Sequence, residues 1–267
     1  MYIKLAFSPC PNDTFIFYAM VHGKIDTEGL NFDFKMDDVE SLNRLALAGN
    51  IDMVKISYHV WLSLTKRYIL LDSGSALGFG NGPLLIAKKA FSKENLEQIS
   101  VAIPGVNTTA HLLFRIAFPE IKDKRFMVFS EIEDAIMNGQ VDAGVIIHEN
   151  RFTYEEKGLK KIMDLGEYWE SLTQSPIPLG GIVVRNTLNE EIIFKLQRIM
   201  RRSVIYALEN PSQAMPFVKC NAKEMNEEVM KKHICLYVND FSIDLGIDGK
   251  KAVSQLLHIA TERGLVE

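Results

Sequence analysis

The sequence predicts an α/β protein of two similar units, with a ligand cleft between two open sheets. First, short apolar runs typical of strands alternate with helical patterns along most of the chain. Second, a helix, a stopping glycine, an aspartate and a strand occur twice, as LALAGNIDMVKIS at 45–57 and AIMNGQVDAGVIIH at 135–148. Third, PLLIAKK at 83–89 and GGIVVRN at 180–186 resemble each other, as the paired crossovers of a two-domain protein would.

Composition favours a globular protein that binds a small molecule. The 267 residues are 47% hydrophobic and 24% charged, which suffices for one large domain or two smaller ones with proper cores. The net charge is -4, and the chain has no long basic or acidic run. Nucleic acid and anionic membranes are therefore not expected as partners.

The N-terminal apolar run is too short for a signal peptide, and no segment has the length of a transmembrane helix, so a cytoplasmic protein is expected. The three cysteines, Cys10, Cys220 and Cys235, lack the CxxC spacing of zinc or redox sites. They are expected to be thiols.

The first unit opens with a strand at Tyr2–Phe7, followed by the Pro-rich turn SPCPND. Asn12 or Asp13 would cap a helix that runs towards His22. The following elements are a strand at Leu30–Lys35, a helix at Val39–Ala48 ended by Gly49, a strand ending at Ser57, and a helix at Tyr58–Leu64.

The second unit has a βαβαβ pattern. Its predicted elements are a strand at Ile99–Ile103, a helix in PGVNTTAHLLFRIAF, a strand at Arg125–Phe129, a helix at Ile132–Asn138, a strand at Val141–Ile147 and a further helix from Glu149.

The C-terminal third reads as helical. An amphipathic helix at Leu188–Leu208 has Asn189 as its cap candidate, and two more, Glu224–Leu236 and Lys250–Arg263, would pack on the first unit. The predicted domains are residues 1–88 with 187–267, forming a larger discontinuous domain, and residues 89–186, forming a smaller one.

The stretch LGFGNGPLLIAKKAF superficially suggests a nucleotide-binding loop. Pro83 stands where the motif GxGxxG needs glycine, and a strand follows instead of a helix, so this interpretation fails. A mobile hinge or a close approach of the backbone to a ligand fits better.

His148 is the candidate catalytic residue. It lies at the predicted C-terminal end of a buried strand, the edge at which ligands bind in open α/β sheets. A single histidine in a cleft can serve as a general acid or base because its pKa lies near neutrality. The alternative is that His148 is a polar residue that caps the strand or a helix.

Three predicted helix N-termini would point into the same cleft. They offer backbone amides together with the side chains of Asn12, Ser57, Asn107, Thr108 and Thr109. Such a cleft suits a carboxylate or a polyhydroxylated ligand, and Lys55 would add a positive charge if it points inward. The alternatives are that Asn12, Ser57 and Thr108 are ordinary N-caps and that Lys55 is solvated.

Other catalytic patterns are missing from the sequence. There is no HExxH or GxSxG motif, and the remaining histidines show no ligand spacing, so no metal is expected. Cys10 lacks an identifiable base partner for a role as nucleophile.

Five segments together resemble the 1,4-dihydroxy-6-naphthoate synthase family: SPCPNDTFIFYAMVHGKI, NIDMVKISYHVW, LGFGNGPLL, PGVNTTAHLL and GVIIHENRFTY. The resemblance implies a fold like the type II periplasmic binding proteins. It also implies a lyase that converts cyclic dehypoxanthine futalosine to 1,4-dihydroxy-6-naphthoate in menaquinone biosynthesis, without metal or organic cofactor. His148 matches the family's catalytic base, whereas Lys55, Ile56 and Ser57, with Thr108 and Thr109, match positions that contact substrate.

Two other functions stay open on the sequence. A solute-binding protein of a transporter would share the fold but would need export and no base. Chorismate dehydratase, an enzyme of the same pathway, would share the fold and act on another substrate. The oligomeric state and the surroundings of Arg151 and Tyr154 are left open.

Overall fold

The computed structural model describes residues 1–91, 97–222 and 226–265. The strands are β1 (Tyr2–Phe7), β2 (Asn31–Met36), β3 (Met53–Ser57), β4 (Tyr68–Leu70), β5 (Ala76–Gly78), β6 (Leu84–Ala87), β7 (Val101–Ile103), β8 (Lys124–Phe126), β9 (Ala143–Ile146), β10 (Lys160–Asp164) and β11 (Ile177–Arg185). The helices are α1 (Pro11–Val21), α2 (Val39–Ala48), α3 (Tyr58–Leu64), α4 (Thr109–Ala117), α5 (Ile132–Met137), α6 (Leu165–Thr173), α7 (Glu190–Glu209), α8 (Pro211–Asn221), α9 (Glu227–Tyr237), α10 (Asp240–Ile243) and α11 (Gly246–Glu262).

Two sheets of matching topology organise these elements. The first has the order β2-β1-β3-β11-β4, with β5 also paired to β11, and the second has the order β10-β6-β9-β7-β8. β3 in the first sheet and β9 in the second each follow a helix and a glycine. Each of them lies between one parallel strand and one antiparallel strand. The repeated sequence pattern therefore marks equivalent positions, and the predicted α/β class is confirmed.

Both sheets are mixed, with parallel and antiparallel strand pairs. β11 runs antiparallel to β3, with Gly180 opposite Ser57, and β6 runs antiparallel to β9, with Leu84 opposite Ile146. Neither antiparallel strand belongs to a local βαβ crossover, which is the connection that forces parallel pairing. β6 pairs within the second sheet, and β11 pairs within the first. The domain boundaries at residues 88 and 186 stay a prediction.

Local capping explains the bounds of α2, which match the prediction, and the start of α7, which lies two residues after the predicted one. The Asp38 carboxylate accepts hydrogen bonds from the Glu40 and Ser41 amides at the start of α2, and Gly49 ends this helix at a φ of 76°. The Asn189 side chain likewise caps α7 by accepting from the Glu191 amide.

Several predicted elements differ in the structure. α1 has Cys10 at its N-cap position without a side-chain cap bond, and Asn12 lies inside the helix, so the predicted cap is wrong. The strand predicted to reach Phe129 ends at Phe126, and the predicted helix from Glu149 is replaced by 3₁₀ turns at His148–Phe152 and Tyr154–Lys157. The start of the predicted helix Glu224–Leu236 lies outside the described residues.

The C-terminal helices divide between the two units. α8 and α9 pack on α1 in the first unit, as expected, through residues such as Val218, Met230 and Ile234. α11 instead adds Ala252 and Leu256 to the core cluster that contains second-sheet strands. Among the described residues, no helix is both long and apolar enough to span a membrane.

Candidate active site

A cavity that is partly open to solvent is lined by residues of both units. It brings together seven candidate site residues from the sequence: Asn12, Lys55, Ile56, Ser57, Thr108, Thr109 and His148. Asn107, which the sequence also suggested, is not among the residues that line it. The cavity also includes polar or aromatic residues that the sequence did not single out for the site: Ser8, Asp13, Asn81, His233 and Tyr237.

His148 lies two residues after the end of β9 and has a φ of 59°, in the left-handed region that residues other than glycine rarely adopt. Its ring centroid lies 5.0 Å from that of Phe129 and 6.0 Å from that of His233. Burial lowers the pKa of His148 below its usual 6.5, although the charges of Glu149 and Asp13 act in the opposite direction. A neutral imidazole at physiological pH is able to accept a proton.

A second histidine stands next to this group. His233 on α9 is fully buried, and its Nδ1 lies 3.7 Å from Oε2 of the buried Glu149. Burial, together with the proximity of His148, holds the pKa of His233 well below 6.5. Neither ring nitrogen has a hydrogen-bond partner within the described ranges. No sequence pattern marks His233 as a site residue, because tertiary packing alone brings α9 to the cavity.

Lys55 is buried and ion-paired. Its Nζ lies 3.3 Å from Oδ1 of Asp13 and donates a 2.8 Å hydrogen bond to the carbonyl of Gly74. The other Asp13 oxygen accepts from the Ser8 hydroxyl at 2.7 Å. The alternative of a solvated Lys55 is therefore wrong, and its charge is already balanced by Asp13 within the cavity wall.

The Ser57 hydroxyl is held by Asn43, a fully buried residue of α2. Asn43 Oδ1 accepts from the Ser57 amide at 2.9 Å, and Asn43 Nδ2 donates to Ser57 Oγ at 3.1 Å. Ser57 does not cap α3 with its side chain. Since its oxygen already accepts from Asn43, the hydroxyl hydrogen is the group that Ser57 can offer to a ligand.

The two threonine hydroxyls are committed to the protein. Thr108 donates to the Gly105 carbonyl at 2.9 Å and caps α4 by accepting from the His111 amide. Thr109 donates to the Leu179 carbonyl at 2.7 Å and accepts from the His59 amide. The N-cap interpretation holds for Thr108. The first-turn amides of Thr109 and Ala110, which have no intrahelical acceptor, are the donors left at this end of the cavity.

Ile56 and Asn12 complete the predicted set. Ile56 is buried in β3 and pairs with Gly181 across the sheet, so its contribution to the cavity is a wall. Asn12 donates from Nδ2 to Asp13 at 2.9 Å, which leaves its buried Oδ1 without a partner in the described part of the chain.

Three potential metal-ligating groups converge where sequence spacing gave no sign of them. One atom each from Cys10, His148 and Glu149 lies within 4.8 Å of the other two. These three side chains could hold a metal ion. The expectation that the reaction needs no metal stays a prediction.

Arg151 and Tyr154 belong to the surrounding framework. Arg151 pairs with Asp164 at 2.6 Å and donates to the Gly82 carbonyl, and Tyr154 donates to Glu155 at 3.0 Å. Neither is among the residues that line the cavity. None of the three cysteines, all of which are described, forms a disulfide.

A cavity between two mixed α/β sheets of matching topology is the architecture of the periplasmic-binding-protein-like fold. The alkanesulfonate-binding protein of Xanthomonas axonopodis pv. citri has this fold: its TM-score to this chain is 0.72 at 12% identity, covering 100% of this chain and 94% of that one. The class predicted from the sequence is therefore confirmed.

Sequence comparisons place the chain in one family within this fold. Residues 3–262 match the family model described as menaquinone biosynthesis. The chain is 42% identical over 266 residues to the 1,4-dihydroxy-6-naphthoate synthase of Thermus thermophilus, covering 98% of this chain and 95% of that protein. A crystal structure of an Archaeoglobus fulgidus protein has a TM-score of 0.94 at 34% identity, covering 99% of this chain and 98% of that one. The chain thus belongs to the menaquinone biosynthesis family, and the predicted membership among its synthase enzymes is confirmed.

Proposed function

We propose that this protein is a carbon-carbon lyase that converts cyclic dehypoxanthine futalosine to 1,4-dihydroxy-6-naphthoate. The observation that carries the proposal is the position of His148 at the end of β9, where it lines the cavity between the two units. Its lowered pKa favours the neutral imidazole that a general base requires. The absence of disulfides supports a cytoplasmic location as part of the same proposal.

In this mechanism His148 takes a proton from the substrate. The carbon-carbon bond then breaks in a retro-aldol step, in which its electron pair passes into an enolate-like intermediate and the sugar-derived portion leaves as a carbonyl compound. Aromatisation to the naphthoate makes the sequence downhill. The buried walls of the cavity strengthen the electrostatic interactions that stabilise the intermediate.

The donors at one end of the cavity suit the substrate carboxylate. Ser57 Oγ and the amides of Thr109 and Ala110 offer hydrogen-bond donors, and α4 adds the positive end of its dipole. Lys55 contributes little net charge because Asp13 is paired with it. The synthase activity is favoured over chorismate dehydratase because the Thermus relative carries the synthase name.

Replacing the proposed base tests the function. We expect His148→Asn to lower kcat by roughly 10²- to 10⁴-fold while substrate affinity changes little, since the fold and the donor groups remain. The measurements are naphthoate formation by mass spectrometry and substrate binding by calorimetry. His258→Asn, at an exposed position of α11, is the matched control and should retain wild-type turnover.

A His148→Asn variant that keeps most of its rate would exclude the proposed base. A wild-type protein that releases product from chorismate but none from cyclic dehypoxanthine futalosine would identify the dehydratase instead. A wild-type protein that turns over neither would contradict the lyase proposal.

A further inference from the structure

Asn81 differs from the other polar residues of the cavity wall. It is fully buried, it lines the cavity, and both Nδ2 and Oδ1 lack a hydrogen-bond partner among the residues that the structure describes. Buried amides are nearly always satisfied, because an unpaired polar group buried away from water is costly. A buried amide that faces a cavity without a partner therefore indicates that its partner is a ligand.

The backbone around Asn81 is fixed on both sides. The Gly80 amide donates to Oε1 of Glu170 at 2.7 Å, and the Gly82 carbonyl accepts from Arg151. A Cβ at Gly82 would lie 2.3 Å from the backbone of Gly166, so the chain passes α6 at a distance that only glycine permits. The backbone at Gly82 therefore approaches α6 closely. A mobile hinge, which the sequence suggested for this segment, is not needed to explain the glycine at this position.

The contrast with Asn239 shows what a structural asparagine looks like in this region. Asn239 Nδ2 donates to the Leu77 carbonyl at 3.0 Å, and its Oδ1 accepts from the Phe241 amide at 3.0 Å. A Cβ at Gly78 would lie 3.0 Å from the amide nitrogens of both Asn239 and Asn81. The two side chains are neighbours, yet only Asn239 uses its amide to hold the protein together.

Asn12 adds a second unpartnered group to the same cavity. Its Nδ2 is bound to Asp13, so the unpartnered atom is the acceptor Oδ1. Asn12 and Asn81 together offer two carbonyl acceptors and one amide donor. The two carbonyl oxygens would repel a carboxylate, but they can accept hydrogen bonds from hydroxyl groups. A hydroxyl group can also accept a hydrogen bond from the Asn81 amide nitrogen.

We propose that Asn81, together with Asn12, binds the hydroxyl groups of the substrate's sugar-derived portion and so determines substrate specificity. This inference rests on the proposed function. It orients the substrate, with its carboxylate towards Ser57 and the start of α4, and its hydroxylated portion towards Asn81. Asn81 is then a specificity residue, while His148 performs the proton transfer.

The test compares Asn81→Leu with the wild type in two assays. Leucine has a similar size and no polar atoms, so we expect the melting temperature of the ligand-free protein to stay the same or rise. We expect kcat/KM for cyclic dehypoxanthine futalosine to fall about 10- to 100-fold, mostly through KM. Asn50→Leu, which replaces an exposed asparagine, is the control and should change neither quantity.

A binding assay separates this inference from the proposed function. In a His148→Asn background, Asn81→Leu should weaken calorimetric binding of the substrate about 10-fold or more. Binding of 1,4-dihydroxy-6-naphthoate, which lacks the sugar-derived portion, should change less than twofold. Equal weakening for both ligands, unchanged substrate binding, or a melting temperature lowered by several degrees would each overturn the assignment. If Asn81→Leu weakens substrate binding but the wild-type protein forms no naphthoate, the hydroxyl-binding role of Asn81 stands and the proposed reaction is rejected.

Discussion

At the scale of single residues, His148 combines an unusual backbone with an unusual environment. Its φ of 59° costs about 1–3 kcal/mol in residues other than glycine, which the surrounding structure must offset. This conformation directs the chain out of β9 into a 3₁₀ turn. Strain of this kind clusters at functional sites, and His148 lines the cavity in which the proposed reaction requires a proton acceptor.

The lowered pKa of His148 predicts the acid limb of the activity profile. Burial disfavours the imidazolium, the charges of Glu149, Asp13 and Asp38 favour it, and Lys55 disfavours it, with a net decrease below 6.5. A base must be neutral to act, so kcat/KM should stay high as the pH falls to 6.5 and should decline only below that value. Measuring kcat/KM from pH 4.5 to 8 provides the test, and a midpoint above 6.5 would contradict the assignment.

At the scale of elements, α4 shows how one helix start serves both stability and the site. The cap bond from His111 to Thr108 fixes the first turn, and the His111 ring contacts the Val106 carbonyl at 2.7 Å and the ring of Phe126 at 5.0 Å. Burial lowers the pKa of His111 to about 4. A charged imidazole would also be opposed by the dipole at the start of α4.

This buried histidine predicts a loss of stability in acid. Below pH 6.5 the unfolded chain binds a proton that folded His111 does not take up until the pH approaches 4, so stability falls as the pH falls. The loss from this residue is about 2 kcal/mol at pH 5. Urea unfolding at pH 7 and pH 5 should therefore show a smaller difference in His111→Gln than in the wild type. His258→Gln should keep the wild-type difference, and an unchanged difference in His111→Gln would contradict the prediction.

The bounds of α2 could be predicted because local residues determine them. Asp38 starts α2 and Gly49 ends it, so the necessary signals lie within a few residues of the helix. β4 and β5 have three residues each, too few for a recognisable period, and exist only because β11 offers them an edge.

The candidate site likewise contains residues that the sequence could locate and residues that it could not. His148 follows an apolar run and could be located from the sequence. His233 could not, because no pattern near it reports that α9 will pack against the cavity. The glycine-rich segment around Asn81 suggested a hinge or a close approach to a ligand, but nothing in it singled out the Asn81 side chain. Lys55 lines the cavity, but its charge balance could not be predicted, because it depends on Asp13, which comes close only after β1 and β3 pair.

At the scale of the whole molecule, direct bonds join the two units beside the cavity. The buried Glu40 of α2 accepts from the Asn107 amide at 3.0 Å and from its side-chain nitrogen at 2.8 Å. A Cβ at Gly105 would lie 2.5 Å from Oε2 of Glu40, so the loop before α4 approaches α2 very closely. These contacts connect the Ser57 side of the cavity to the start of α4.

Removing the Glu40 carboxylate should loosen this connection. Hydrogen bonds to charged groups contribute about 1.5–3 kcal/mol, so Glu40→Ala should speed amide exchange in residues 105–109 and lower kcat/KM by roughly 10-fold or more. Hydrogen-exchange mass spectrometry and steady-state kinetics measure these changes. Arg44→Ala is the control, because Arg44 contacts Glu40 with a largely exposed side chain. Equal exchange in the Glu40→Ala and wild-type proteins would show that other contacts hold the loop.

The position of β11 between β3 and β4 governs the order in which the sheets can assemble during synthesis. All five strands of the second sheet lie between Leu84 and Asp164, so they leave the ribosome as one continuous segment. The first sheet must wait for Ile177–Arg185, although its other strands are made earlier. The cavity between the sheets is therefore completed late in translation. A nascent chain truncated before β11 contains all strands of the second sheet, whereas its first sheet has a central gap.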